Sequence, residues 1–188
     1  MAPWHASKYV RVGAIVVIAA VAAVILALVV GRTAGSSPTS TTTSGTVTGV
    51  GPVVLNASGL KARVAGLNQP IYWLGPIVGD SYELTRTTAD DVYVRYVPVG
   101  TAAGTHEGEY PLVATYPYKG ALAGLKAAHI GKVLPIAGAK GAIAVVEKGK
   151  PTNIHIAYPH TNYQMEIYDP DAHAARTLAT SGFLKPVP

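Results

Sequence analysis

The sequence contains no cysteine, one phenylalanine and two tryptophans, and only 13% of its 188 residues are charged. The lack of cysteine excludes disulfides, thiolate catalysis, cysteine-ligated zinc and a lipidated N-terminal cysteine. The net charge of +5 does not indicate a nucleic-acid partner, because Lys8, Arg11 and Arg32 flank one apolar run. A nucleic-acid binder shows a denser basic face. We therefore expect no nucleic acid among the partners.

The longest apolar run covers residues 12–30 and has no charge between Arg11 and Arg32. As a helix it would span about 28 Å, close to the hydrocarbon thickness of a bilayer. We predict a cytoplasmic tail over residues 1–11 and a transmembrane helix over residues 12–31. Lys8 and Arg11 favour an N-terminus inside the cytoplasmic membrane and a domain outside it. The alternative is a cleaved signal peptide, although its apolar region is normally only about 7–15 residues long.

The segment over residues 32–51 consists mostly of Thr, Ser, Gly, Pro and Val. Such a composition cannot bury enough apolar surface to offset the entropy of ordering, so it predicts a linker. The remaining residues 52–188 are sufficient for one domain with its own core.

Short patterned segments predict an antiparallel sheet with two α-helices, that is, an α+β domain. We expect strands at residues 53–55 or 62–65, 71–74, 81–87, 92–97, 110–116 and 142–147. A turn at residues 89–91 suggests a hairpin. A first helix is predicted from about Pro117, with Leu122 and Leu125 at helical spacing and Gly131 at its end.

The clearest hairpin pairs residues 153–158 with residues 163–168. Pairing Ile154 with Ile167 and Ile156 with Met165 places all four apolar side chains on one face, and His155 then lies opposite Glu166 on the other. A last helix should follow, with Asp169 as its N-cap. We expect an apolar stripe on that helix, Gly182 in the left-handed cap and Phe183 in a hydrophobic contact.

Two fragments of hydrolase motifs are present and both are incomplete. Gly79-Asp80-Ser81 resembles the nucleophile block of GDSL-type hydrolases, but the residues after Ser81 alternate like a strand. The later Asp171-Ala172-His173 has the wrong spacing for the base of those enzymes. His106-Glu107 begins like a zinc-protease motif, yet Tyr110 stands where its second histidine is required. We predict no catalytic residues, with an envelope hydrolase as the alternative.

A metal site is weighed at the hairpin, where His155, Glu166 and His160 lie near one another in sequence. His155 and His160 are separated by half the hairpin, so an exposed polar pair of His155 and Glu166 is the preferred interpretation. We therefore predict no metal and no cofactor.

Two surfaces are candidates for binding. Aromatic residues could line a ligand groove for a lipid or glycan, although such residues more often belong to the core; they are Tyr72, Trp73, Tyr93 and Tyr96. Lysines between residues 119 and 150 could form a patch for an anionic surface, or simply serve solubility; the candidates are Lys132, Lys140, Lys148 and Lys150.

The layout resembles single-pass extracytoplasmic proteins of high-GC actinobacteria, a group with no known activity. The residues that carry the resemblance are the segments beginning at Pro70 (PIYWLGP), Val92 (VYVRYV) and Tyr163 (YQMEIYDP). The resemblance implies topology but transfers no functional residue. We expect a membrane-tethered domain that binds an envelope lipid, a glycan or a membrane-protein partner, with a lipid or glycan carrier as a further alternative.

Overall fold

The structure is a computed structural model that describes residues 51–106 and 109–188. These residues belong to the second of the two units into which the chain divides, Thr46–Pro188. Within them we find a mostly antiparallel β-sheet domain with three helices. None of these helices is long and apolar enough to cross a membrane. The predicted transmembrane helix, cytoplasmic tail and nearly all of the linker lie outside the described residues.

Strands dominate the described chain, in the following order. The first half contains β1 (Val53–Leu55), α1 (Ala57–Val64), β2 (Tyr72–Trp73), β3 (Asp80–Arg86), β4 (Val92–Pro98) and β5 (Leu112–Pro117). The second half contains α2 (Ala121–Ala128), β6 (Gly131–Pro135), β7 (Ile143–Glu147), β8 (Asn153–Ala157), β9 (Tyr163–Tyr168), α3 (Ala172–Thr180) and β10 (Lys185–Pro186).

Eight strands form one sheet in the order β1-β3-β4-β5-β9-β8-β7-β6, and all neighbours are antiparallel. The predicted hairpin is confirmed as β8 and β9, with Ile154 opposite Ile167 and His155 opposite Glu166. β5 pairs with β9 and so joins the two halves of the chain. β2 and β10 form a separate two-stranded ribbon.

The main core lies on one face of the sheet, which we call the first face. Helices α1 and α3 and the ribbon strand β2 contribute buried side chains to this core. Alternation along the strands explains the arrangement, because every second residue of a strand points to the same side. The largest fully buried side chains include Trp73, Tyr82, Tyr96, Ile154 and Ile167.

The opposite face of the sheet, the second face, is covered in two places. Ala121 and Leu125 of α2 pack on apolar residues at the β7–β8 side, including Val145. At the other side, Glu83 and Arg95 form a 2.9 Å ion pair under the loop that follows β4. Polar residues occupy the centre of the second face between these two coverings.

Three predicted features of the helices are wrong. Residues 62–65 do not form a strand, since most of that segment lies in α1, whose N-cap Asn56 accepts a hydrogen bond from Gly59 N at 2.8 Å. The described residues therefore contain three helices rather than two. Pro117 belongs to β5, and α2 begins only at Ala121. The helix is followed by His129 in the left-handed conformation.

The last helix also differs in its ends. Asp171 rather than Asp169 is the N-cap of α3, and it accepts hydrogen bonds from His173 N and Ala174 N. Asp169 instead accepts from Asp171 N and forms the turn before the cap. Gly182 has the predicted positive φ of 77°. Phe183 is exposed, so the predicted hydrophobic contact is wrong, and the residue that follows it, Leu184, enters the core instead.

Candidate functional site: a polar row on the second face

A row of polar side chains crosses the second face from β5 to β7. Register places Glu166 of β9 between Ala114 of β5 and His155 of β8. Tyr116 and Glu147 lie at the two ends of the row. We call these four residues, Tyr116, Glu166, His155 and Glu147, the polar row. It links side chains that are up to 50 residues apart in sequence.

The carboxylate of Glu166 is held from two sides. The Tyr116 hydroxyl donates to Glu166 Oε2 at 3.0 Å, and Asn153 Nδ2 donates to Oε1 at 2.6 Å. His155 Nδ1 lies 3.9 Å from Oε2. Hydrogen bonds of this kind to an ionised acceptor are stronger than neutral ones and fix the carboxylate in place.

His155 lies between two carboxylates and has a defined tautomer. Gln164 Nε2 is 3.3 Å from His155 Nδ1, and since an amide nitrogen only donates, Nδ1 accepts. The ring proton then lies on Nε2, which is 3.3 Å from Glu147 Oε2. Lys150 completes the chain of contacts, with its Nζ 2.9 Å from Glu147 Oε1.

The surroundings change the pKa values at both ends of the row. Burial raises the pKa of Tyr116, and the negative charge of Glu166 raises it further. Burial opposes ionisation of Glu147, but the hydrogen bonds and charges of Lys150 and His155 outweigh that effect and lower its pKa. The row therefore favours a neutral tyrosine and an ionised Glu147.

The predicted pairing of His155 with Glu166 is confirmed, but its predicted exposure is wrong. His155 is only 3% exposed and Glu166 is 6% exposed. The reason is that α2 packs beside them on the second face. His160 is exposed in the hairpin turn with a φ of 59°. Within the described residues, no group of three or more acidic, histidine or cysteine side chains is arranged to hold a metal ion.

The arrangement favours structural fixation over acid–base work on a substrate. A pair of catalytic carboxylates in a glycoside hydrolase leaves room for the scissile bond between them. Here the His155 ring fills the space between Glu147 and Glu166. Both carboxylates already accept bonds from protein groups.

The residues of the hydrolase alternative are not brought together. Ser81 lies in β3, opposite Val97, as the alternation predicted. His155 lies four strands away in the same sheet, about 19 Å at the usual strand spacing. His173 is on α3, which packs on the first face, whereas Ser81 belongs to the second. His106 is exposed in a loop, and Glu107 lies outside the described residues.

The four aromatic residues of the predicted groove are divided between the two faces. Tyr72, Trp73 and Tyr96 are buried in the first-face core. Tyr96 OH accepts from Leu74 N at 2.7 Å, which fixes the ribbon strand β2. Tyr93 is half-buried on the second face, because it alternates with the buried residues of β4.

The four lysines of the predicted patch also occupy different places. Lys148 and Lys150 lie in the turn between β7 and β8, and Lys150 pairs with Glu147. Lys132 is exposed on β6. Lys140 belongs to the turn between β6 and β7, at the opposite end of those strands. The first three are therefore neighbours on one side, and Lys140 is apart from them.

Tyr116 is the important residue that sequence reasoning did not place. Its ring meets that of Tyr93 edge to face, with centroids 6.0 Å apart. The strand itself was predicted, and alternation alone would have put Tyr116 on the side of Ala114. The pairing of β5 with β9 was not predicted, and without it the contact with Glu166 has no sequence signal.

Comparisons with known proteins leave this site without a precedent: no family model, no curated protein and no solved structure matches the chain.

Proposed function

We propose that the chain is a membrane-tethered extracytoplasmic binding domain of the cell envelope, and that its second face binds a glycan. The observation that carries the proposal is the pair of half-buried tyrosines, Tyr93 and Tyr116, beside the fixed polar row. Ligand sites combine aromatic surface with a few fixed polar groups. A sugar offers both an apolar ring face and hydroxyls, so it suits such a surface.

The rigidity of the polar row supports binding by a preformed surface. Glu166 and Asn153 are held by each other, and Tyr116 is held by Glu166. Groups that are fixed before a ligand arrives lose little entropy on binding. This arrangement supports recognition without turnover.

The topology is the second part of the proposal and rests on sequence. The apolar run over residues 12–30 with Lys8 and Arg11 before it supports an anchor whose N-terminus is inside. The resemblance to single-pass extracytoplasmic proteins of high-GC actinobacteria is consistent with it. The domain would then lie outside the cytoplasmic membrane.

A lipid carrier is less well supported. It would need an apolar pocket behind Tyr72 and Trp73. In the described core, Tyr72 stacks on Tyr158 with ring centroids 6.1 Å apart, and Trp73 meets Tyr82 at 5.7 Å. These rings fill the space next to both residues, which favours the binding domain.

Binding is tested by sedimenting the full chain, in detergent, with insoluble peptidoglycan from a high-GC actinobacterial envelope. We expect Tyr93→Ala to weaken binding about tenfold, which corresponds to about 1.4 kcal/mol. Phe183→Ala is the matched control, since Phe183 is also an exposed aromatic residue but is remote in sequence and lies outside the sheet. Equal binding by wild type and Tyr93→Ala would contradict the glycan site. Release of soluble fragments that is lost in Ser81→Ala or His155→Ala would establish the hydrolase instead.

Topology is tested separately by proteinase treatment of intact spheroplasts carrying a tag at each end of the chain. We expect loss of the C-terminal tag and protection of the N-terminal tag. The reverse pattern, or release of the domain into the medium, would contradict the tethered arrangement.

A further inference from the structure

Two neighbouring loops carry the most exposed large apolar side chains in the described part of the chain. Val78 is 98% exposed and Val99 is 72% exposed. Residues 76–79 precede β3, and residues 98–103 begin at the end of β4; together we call them the apolar tip. These segments read Pro-Ile-Val-Gly and Pro-Val-Gly-Thr-Ala-Ala and contain no charged residue. Exposed apolar groups that lie together mark interaction surfaces.

The two loops are fixed to each other and to the sheet. Val99 N donates to Gly79 O at 3.3 Å. Ile77 N donates to the hydroxyl of Tyr82 at 2.8 Å, and Asp80 N donates to Ile77 O at 3.3 Å. Because the backbone is held in this way, Val78 and Val99 point outward without further ordering, which lowers the entropic cost of burying them against a partner.

The chain enters the domain beside the second of these loops. Gly104 N donates to Glu83 Oε2 at 2.8 Å, and Arg95 donates to Thr105 O at 2.7 Å, so the end of the loop is fastened to β3 and β4. Pro52 Cγ lies 3.6 Å from the position that a Cβ on Gly104 would take. The 51 residues before Pro52, which include the long apolar run, therefore join the domain next to the loop that carries Val99.

We infer that the apolar tip inserts Val78 and Val99 into the outer interface of the bilayer to which the chain is tethered. This inference rests on the tethered topology of the proposed function. A linker of the composition and length of residues 32–51 has an r.m.s. span of about 25 Å, so the tip stays within reach of the membrane. Two valines are too few to hold a free domain on lipid. Tethering raises the local concentration to about millimolar and makes a weak contact effective.

Charge favours neutral lipid as the surface that the tip meets. The tip has no lysine or arginine, and Asp80 and Glu83 lie in the strand directly behind it. Insertion is therefore driven by apolar burial, and anionic lipid is not expected to strengthen it. An electrostatic contact through lysines would show the opposite dependence.

The test uses the full chain reconstituted in phosphatidylcholine vesicles. Because the sequence has no cysteine, Val78→Cys and Val99→Cys each give a single site for an environment-sensitive NBD label. Val133→Cys is the matched control: Val133 is 55% exposed and lies on β6, five strand spacings from β4. We expect labels at positions 78 and 99 to emit at shorter wavelength and to be quenched by doxyl-labelled lipid. The label at position 133 should stay aqueous.

Flotation of the same vesicles separates the failure of this inference from the failure of the proposed topology. Protein that floats, with labels at positions 78 and 99 as aqueous as at 133, would overturn the membrane contact and leave the tether intact. Quenching of all three labels would also overturn it, since the domain would then lie on lipid without a defined tip. Blue-shifted labels without lipid quenching would indicate contact between copies of the chain. Protein that does not float would reject the tethered topology and the inference together.

Discussion

The single hydroxyl of Tyr116 determines how well Glu166 is held on the second face. We expect Tyr116→Phe to lower the free energy of unfolding by about 1.5–3 kcal/mol, the usual range for a hydrogen bond to a charged group. The ring and its packing against Tyr93 are kept, so the loss reports the bond to Glu166. Urea unfolding followed by circular dichroism gives the measurement.

The control for Tyr116→Phe is Tyr118→Phe. Tyr118 is 38% exposed, and removal of its hydroxyl should change stability by less than about 0.5 kcal/mol. If both variants lost the same stability, the bond between Tyr116 and Glu166 would have no special weight, and the polar row would not be a fixed surface.

Gly131 is the residue at which the start of β6 tolerates no side chain. A Cβ there would lie 1.7 Å from Val146 O, far inside van der Waals contact. We expect Gly131→Ala to cost about 1–3 kcal/mol, because the backbone of β6 or β7 must move. Gly51→Ala is the control, since a Cβ at Gly51 meets nothing within 4 Å. Thermal unfolding of the two variants compares them, and equal melting temperatures would show that the edge of the sheet yields without cost.

At the scale of elements, the cap at Asn56 explains why α1 forms in a segment of eight residues. Its side chain accepts from Gly59 N, and only Leu60 and Val64 of the helix are buried. We expect Asn56→Ala to lower stability by about 1 kcal/mol and Asn56→Asp to retain most of it, because aspartate caps equally well. Faster amide exchange confined to α1 in Asn56→Ala would identify the helix as the affected element. Equal loss in both variants would indicate that the amide group acts in some other way.

The elements that sequence predicts well are those whose partner is close in the chain. The hairpin of β8 and β9 was predicted in register, because only one alignment puts Ile154, Ile156, Met165 and Ile167 on one face. α1 was missed since two buried residues make a weak helical pattern. β6 was missed because it lies at the end of the sheet, where Lys132 and Val133 are exposed and alternation has no buried side to reveal.

The candidate site was predictable only in part for the same physical reason. His155 and Glu166 face each other within one hairpin, so their contact follows from local register. Their burial does not, because α2 covers them only after the whole sheet has formed. The bond from Tyr116 to Glu166 needs the pairing of β5 with β9, which joins the two halves of the chain. Tertiary contacts of this length carry no periodic signal.

At the scale of the whole molecule, burial of tyrosine makes the domain sensitive to alkali. Burial raises the pKa of seven tyrosines above the ordinary value near 10: Tyr72, Tyr82, Tyr93, Tyr96, Tyr116, Tyr158 and Tyr168. A raised folded pKa means that the native state keeps its proton while the unfolded chain loses it. The stabilisation is therefore complete below about pH 10 and is lost as the pH rises through the folded values.

We expect the free energy of unfolding to fall steeply above about pH 10, with each tyrosine that stays neutral in the native state contributing about 1.4 kcal/mol per pH unit. Tyr96 and Tyr116 should contribute most, because they are the most deeply buried of the group. Urea unfolding at pH 8, 10 and 11 measures the slope, and Tyr116→Phe should reduce it. Absorbance at 295 nm should show tyrosinate appearing together with the loss of circular dichroism, and both should reverse on return to pH 8. If all eleven tyrosines ionised near pH 10 while the circular dichroism stayed native, the rings would be open to water and the fold would not be held by them.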